Sequence, residues 1–408
     1  MYPESEAIAI AKRENNAKRA YLVVNKLQGK HIPVSPLRAF GMFDLLADKV
    51  GAAYTDERML LVGFAETATA IGARLAVKLD SHYIQTTRET YGDVSWLLFS
   101  ETHSHAVEQK LIRDDIDAII GRTDRIVFVE DEVTTGNTIL NIIKILEEAY
   151  PGRVRFAVAS LLNGMPPEAE AFYHAKGIGL LYLQKTDHSG YTAIAESYCA
   201  DGAYFPADTA GCDPAESYCI EGCMDARRCV PGAAYGRACE AMWERICLKN
   251  HNGRPYTPLH GSAAPERMLQ THSGAGENIL VIGTEEFMYP ALFAGACLER
   301  CGHTVKCHAT TRSPIAVSRR PDYPLHSRYE LASLYEKGRR TFIYNLKKYD
   351  QVWILTDAPK PCKEGVYSLV NALKSCGNDT IRFFVWQGAF AAGCAHGQKQ
   401  GGFYEEFL

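Results

Sequence analysis

No stretch of the 408-residue chain approaches the roughly 20 consecutive apolar residues needed to cross a bilayer; the longest apolar runs, such as Ile126-Val127-Phe128-Val129, are strand-sized. The first 18 residues lack the apolar centre of a secretory signal, so the chain is expected in the cytoplasm. Charge of one sign is also missing. Against 48 Asp and Glu stand 44 Lys and Arg, a formal net charge of −4. Nucleic acid or an anionic membrane surface would call for concentrated basic residues, so neither is an expected partner. Internal repeats and low-complexity tracts are absent as well.

What remains is a composition of 47% hydrophobic and 23% charged residues, ordinary for a folded chain, at a length that suits two domains. Cysteine is plentiful, with 13 in all. In a large chain without an export signal these read as reduced thiols. Seven of them, Cys199, Cys212, Cys219, Cys223, Cys229, Cys239 and Cys247, crowd into one stretch. Cys212, Cys219, Cys223 and Cys229 offer donors for zinc or an iron-sulfur cluster, but none of their spacings is the tight pair of a zinc ribbon; buried structural thiols are the alternative.

Along the chain, residues 6–25 are rich in Ala, Lys, Arg and Glu and favour helix. Leu37, Phe40, Leu45, Leu46 and Val50 recur at helical spacing. Leu60-Leu61-Val62-Gly63-Phe64 reads as a strand ending in a loop and then a helix carrying Leu75, Val77 and Leu79. Alternation at 83–88 and 96–105 predicts a hairpin or flap. Residues 126–129 form the clearest buried strand, with Ile139, Ile142, Ile143 and Leu146 on the helix after it and another strand at 154–162. Such alternation predicts a parallel sheet. Periodicity fades over 196–277 and returns with strands at 278–283, 303–309, 341–344, 351–355 and 381–386 and a helix at 290–300.

The chemistry concentrates after the 126–129 strand, in Glu130-Asp131-Glu132-Val133-Thr134-Thr135-Gly136-Asn137-Thr138. Paired acids can accept hydrogen bonds from vicinal ribose hydroxyls. Short hydroxyl donors, a glycine and the first amides of a helix can hold a phosphate. One loop can therefore grip both ends of a phosphorylated sugar. Gly63-Phe64-Ala65-Glu66-Thr67-Ala68-Thr69 is a second strand-loop-helix junction, either an anion-binding loop or a plain helix cap. Arg88 is a candidate phosphate clamp or an ordinary surface arginine. Glu101, His103 and His105 share one face if their segment is extended, which suits a polar catalytic flap or, with a further ligand, zinc.

The run 126–138 resembles the signature for phosphoribosyl pyrophosphate (PRPP) of type I phosphoribosyltransferases, with two departures: Glu130 for the commoner Asp, and Glu132 for an apolar residue. Glu132 either helps hold Mg²⁺ or faces solvent. Together with the 63–69 loop, Thr86-Thr87-Arg88 and Glu101-Thr102-His103-Ser104-His105-Ala106, it is similar to the orotate-phosphoribosyltransferase-like subfamily of tellurite-resistance and stress-response gene clusters. That subfamily is often fused to a TRSP domain, and Thr311-Arg312-Ser313-Pro314 is present here, with Gly283-Thr284-Glu285-Glu286-Phe287-Met288-Tyr289-Pro290 and His326-Ser327-Arg328-Tyr329-Glu330 around it.

The resemblance implies an α/β fold: a type I phosphoribosyltransferase domain with a parallel sheet, plus a second C-terminal Rossmann-like α/β domain. The expected boundaries are 1–30 for a helical extension, 31–195 for the transferase, 196–277 for a cysteine-rich linker or insert and 278–408 for the TRSP domain. It implies Mg²⁺ with PRPP at Glu130 and Asp131, pyrophosphate at Ala65, Glu66, Thr67, Ala68 and Thr69, a base-like acceptor leading to a nucleoside-like metabolite, and a homo-oligomer. Gly283, Thr284, Glu285, Glu286, Thr311, Arg312, Ser313 and Arg328 form a second polar crevice, either a ligand site or a docking surface. A PRPP-binding regulator without turnover and a bifunctional enzyme remain the alternatives.

Overall fold

The computed structural model describes residues 4–14, 19–90, 92, 94–99, 109–249 and 276–388. In chain order, α1 (Glu4–Ala7), β1 (Ile8–Lys12), β2 (Tyr21–Asn25) and α2 (Pro36–Ala53) lead to β3 (Met59–Gly63), α3 (Thr69–Leu79) and β4 (His82–Gln85). Next come β5 (Trp96–Phe99), β6 (Gln109–Ile112), α4 (Arg113–Ile119), β7 (Arg125–Val133), α5 (Asn137–Ala149), β8 (Arg155–Asn163), α6 (Pro167–Ala175), β9 (Gly179–Lys185) and α7 (Tyr191–Glu196). The middle holds β10 (Ala203–Phe205), β11 (Glu216–Cys223), β12 (Val230–Pro231) and α8 (Gly232–Lys249). The last part holds β13 (Asn278–Gly283), α9 (Tyr289–Arg300), β14 (Thr304–Ala309), β15 (Ser327–Ala332), β16 (Arg340–Tyr344), β17 (Gln351–Thr356), α10 (Lys363–Ser375) and β18 (Ile381–Gly388).

The chain divides into two compact units, the first made of residues 1–6, 40–193 and 226–236, the second of 7–39, 194–225 and 237–408. The first is built on a six-stranded sheet in the order β12-β4-β3-β7-β8-β9. All its pairings are parallel except the short antiparallel β12–β4 edge. Every residue of β3 is buried, and β7 is buried from Arg125 to Val129, as continuous apolar runs in a covered parallel sheet should be. Both strands thereby end with their loops at the same edge of the sheet.

The second unit contains a five-stranded, wholly parallel sheet in the order β11-β18-β17-β13-β14. Its core gathers Leu280, Ile282, Ile354, Leu369, Leu373 and Phe383, among others, from strands and α10.

Three expectations change. Residues 8–12 and 21–25 are an antiparallel strand pair, not helix. Alternating Ile and Ala in Ile8-Ala9-Ile10-Ala11 fits a strand, and pairing overrides the helical propensity of the Ala-rich stretch. The cysteine-rich stretch is not a bare connector either: β11 is an edge strand of the five-stranded sheet, and β10 pairs with β15. The alternation at 83–88 belongs to β4 inside the main sheet, whereas the hairpin is β5 with β6.

Candidate active site

Within β7 the fully buried run ends where the charges begin: Val129 is fully buried, while Glu130, Asp131 and Glu132 each keep a small exposed fraction. The chain then turns through Gly136, whose φ of +73° is left-handed. A Cβ there would lie 2.3 Å from the Tyr173 hydroxyl, which donates to the Gly136 carbonyl at 2.6 Å. Only glycine satisfies both demands. The turn delivers Thr134, Thr135, Asn137 and Thr138 to the N-terminus of α5, where first-turn amides that have no partner within the helix favour a phosphate.

The loop after β3 approaches the same carboxylates. Its Ala65–Glu66 peptide bond is cis. The Thr67 hydroxyl donates to Asp131 Oδ1 at 2.8 Å, joining two loops that the sequence identifies separately. Burial and the negative charge of Glu132 push the Asp131 carboxyl up to about 6, with the Thr67 hydrogen bond opposing them. The Ala65 amide donates to Thr86 Oγ1 at 2.8 Å, and the Thr86 hydroxyl donates onward to Gln109 Oε1 at 2.6 Å. Thr86 thus links the loop to the first residue of β6.

The β5–β6 hairpin is further pinned by reciprocal backbone hydrogen bonds between Thr87 and Lys110, each of 3.0 Å, and by Phe99 packing edge-on to Phe64. Arg88 follows directly and is half-buried. Glu101, His103 and His105 lie outside the described residues. Glu132 does not face solvent: its side chain is 9% exposed and Oε1 lies 3.4 Å from Nε2 of His188.

Two domain families match: the phosphoribosyl transferase family over residues 7–179, and the TRSP domain that lies C-terminal to it over residues 260–373. The chain carries a phosphoribosyltransferase domain followed by a TRSP domain. Comparison with curated proteins finds no match. Among solved structures, adenine phosphoribosyltransferase of Rhodothermus marinus is 15% identical, with 44% of this chain and 94% of that one covered and a TM-score of 0.31. The Giardia lamblia adenine enzyme is 18% identical over 44% and 94%, with a TM-score of 0.33. Orotate phosphoribosyltransferase of Aeropyrum pernix is 17% identical over 45% and 89%, with a TM-score of 0.30.

In the TRSP domain the chain leaves β13 to form β14 on one side and returns as β17 on the other, so the C-terminal ends of these strands flank a switch point. Glu285 sits there with φ +47°, uncommon for a residue with a side chain. Its partners account for this: its amide donates to Thr310 Oγ1 at 2.9 Å, and the buried Lys30 amine donates to its carbonyl at 2.6 Å. Its carboxylate accepts from Arg312 at 2.8 Å, Arg339 at 2.9 Å and Ser333 at 2.5 Å. Arg312 also reaches Glu286 at 3.0 Å. Thr284 Oγ1 lies 2.9 Å from Thr356 Oγ1, and Ser313 donates its amide to Thr311 Oγ1 at 3.2 Å. Gly283, Thr284, Glu285, Glu286 and Arg312 come together. Arg328 is engaged elsewhere, paired with Glu14 at 2.7 Å and lying over the rings of Tyr204 and Phe342.

Among the described residues no group of three or more His, Cys, Asp or Glu can hold a metal ion, so Cys212, Cys219, Cys223 and Cys229 do not close into a zinc site. Cys212 accepts from the Lys374 amine at 3.1 Å, and burial pushes the Cys229 thiol up to about 12. Among the residues that build the site, Thr86 lies inside the Thr86-Thr87-Arg88 motif, whereas Gln109, Tyr173 and His188 carry no local sequence signal.

Proposed function

We propose that the phosphoribosyltransferase domain moves ribose 5-phosphate from PRPP to a nitrogen nucleophile. The C1–oxygen bond to pyrophosphate breaks, a C1–nitrogen bond forms, and the nitrogen gives up a proton. Glu130 and Asp131 hold the ribose hydroxyls, 134–138 with the start of α5 hold the 5-phosphate, and the 65–69 loop with Arg88 receives pyrophosphate. Fixed donors around an oxocarbenium-like transition state supply the catalysis, mostly by charge placement. Glu101, His103 and His105, outside the described residues, are assigned the exclusion of water from this step.

Mg²⁺ binds one or two protein carboxylates and completes its shell with water and substrate phosphates, so Glu130 and Asp131 fit it without a dedicated protein cage. An ion held by these two carboxylates would supply charge neutralisation for pyrophosphate.

The observation that carries this reading is the Thr67–Asp131 hydrogen bond of 2.8 Å, because it brings the pyrophosphate loop against the ribose carboxylates. The test is calorimetric titration with Mg²⁺ and PRPP, followed by pyrophosphate release with a panel of nitrogen bases. Binding with release is expected. Binding without release from any base would instead make the domain a PRPP-responsive regulator, and absence of PRPP binding would overturn the assignment.

A further inference from the structure

Glu132 replaces an apolar residue of the signature it resembles, and it is nine-tenths buried, which is costly for a carboxylate without a purpose-built surrounding. That surrounding is present. His188 Nε2 lies 3.4 Å from Glu132 Oε1 and 2.8 Å from Thr186 Oγ1, and the imidazole stacks on Tyr191 with 4.7 Å between ring centres. Gly164 leaves the space for this ring, since a Cβ there would lie 2.3 Å from it. His188, itself fixed by Thr186 at the end of β9 and Tyr191 at the start of α7, is therefore set beside Glu132 Oε1.

The position of Glu132 is defined by the strand. Glu130 pairs with Ser160 and Glu132 with Leu162 in the β7–β8 ladder, so the two carboxylates project from one face. Two residues of strand span about 6.5 Å. That is the scale on which a sugar held at one carboxylate presents its C1 substituent to the next. Charge then limits what the substituent can be. Glu130, Asp131 and Glu132 are consecutive acids, which repel an anionic base, and an ionised carboxylate only accepts hydrogen bonds.

We propose that Glu132, oriented by His188, Thr186 and Tyr191, selects the acceptor by taking hydrogen bonds from the ring N–H or exocyclic amino group of an uncharged, amino-bearing nitrogen heterocycle. The inference rests on the PRPP-dependent transfer proposed above and adds the acceptor class to it. Glu132 is a specificity-determining residue; His188 is a positioning residue.

The test uses the full chain with Mg²⁺ and PRPP, measuring pyrophosphate release with adenine and cytosine against orotate and nicotinate. The wild type should favour the amino-bearing pair. Glu132→Gln and Glu132→Leu should each raise the KM for the preferred base roughly ten- to hundredfold, the range for losing a hydrogen bond to a charged group. At pH 8, above the Asp131 transition in either form, PRPP affinity should stay at the wild-type value, and Glu132→Gln should shift preference toward carbonyl-bearing bases. His188→Leu should raise the same KM by less. A purely structural ion pair would lower the unfolding midpoint and leave the order of preference unmoved, which would overturn the proposal. So would preference for orotate or nicotinate, an unchanged KM in Glu132→Leu, or PRPP binding by a wild type that uses neither amino-bearing base. In each of those cases PRPP binding would stand. Loss of PRPP binding in the wild type would instead remove the underlying reading and the inference together.

Discussion

Asp131 in the transferase domain and Glu285 in the TRSP domain both lie at the C-terminal end of a parallel strand, and they are treated in opposite ways. Glu285 accepts from two guanidiniums and a serine hydroxyl, while its backbone is held by Lys30 and Thr310. The carboxylate of Asp131 has one side-chain donor, Thr67, and a like-charged neighbour in Glu132. A carboxylate already surrounded by protein donors fixes structure. One whose ionised form is disfavoured until donors arrive is suited to a ligand that brings hydroxyls and a cation. The first unit thus carries a sheet end with a sparsely compensated carboxylate, and the second a locked one.

Glu285→Ala should break the locked end most severely. It leaves Arg312 and Arg339 buried beside a missing charge, at a cost of about 3–5 kcal/mol, the range for removing one partner of a buried ion pair. Urea unfolding checks this. A loss below about 1 kcal/mol would mean that Glu286 and Glu336 suffice for the two arginines, and the contrast would weaken.

Asp131→Asn should act the other way on the free protein. The folded state raises the Asp131 carboxyl from its ordinary range to about 6, so it binds the proton more tightly than the unfolded chain does. Wild-type stability should therefore fall as pH rises from about 4 through about 6, by roughly 3 kcal/mol at the plateau. The asparagine variant lacks this dependence and should exceed the wild type above pH 6, with the two converging below pH 4. Its PRPP affinity should drop at least tenfold. Thermal unfolding across that pH range, with PRPP titrations alongside, separates the two effects. A variant less stable than the wild type at pH 8 would show that Asp131 is a structural residue like Glu285.

The elements behind this contrast were unequally legible in the sequence. Ile126-Val127-Phe128-Val129 followed by two acids and Thr-Thr-Gly declares strand, loop and helix at once, because burial and turn chemistry are local. Gly283 and Thr311-Arg312-Ser313 likewise sit at the strand ends expected of them. The residues that arrive from far away were not legible. Tyr173 reaches Gly136 across 37 positions and Arg339 reaches Glu285 across 54. Nothing in their own neighbourhoods announces a partner. Edge strand β11 has an irregular burial pattern and a register shift, so its cysteines masked a strand that only pairing with β18 creates. At residues 8–12 a helical composition gave way to pairing with β2 for the same long-range reason.

The smallest test bears on Thr67, whose side chain moderates Asp131. Thr67→Val keeps the shape and removes the hydroxyl, so the carboxylate loses its 2.8 Å donor. A hydrogen bond of this kind contributes about 1 kcal/mol, and a stability loss of that order is expected at pH 8. The more telling readout is the pH profile of PRPP affinity. Since the Thr67 hydrogen bond lowers the Asp131 carboxyl against burial and Glu132, its removal should move the midpoint upward from about 6. A midpoint that stays fixed would mean that Thr67 serves only to join the two loops, with the ionisation of Asp131 governed by burial and Glu132 alone.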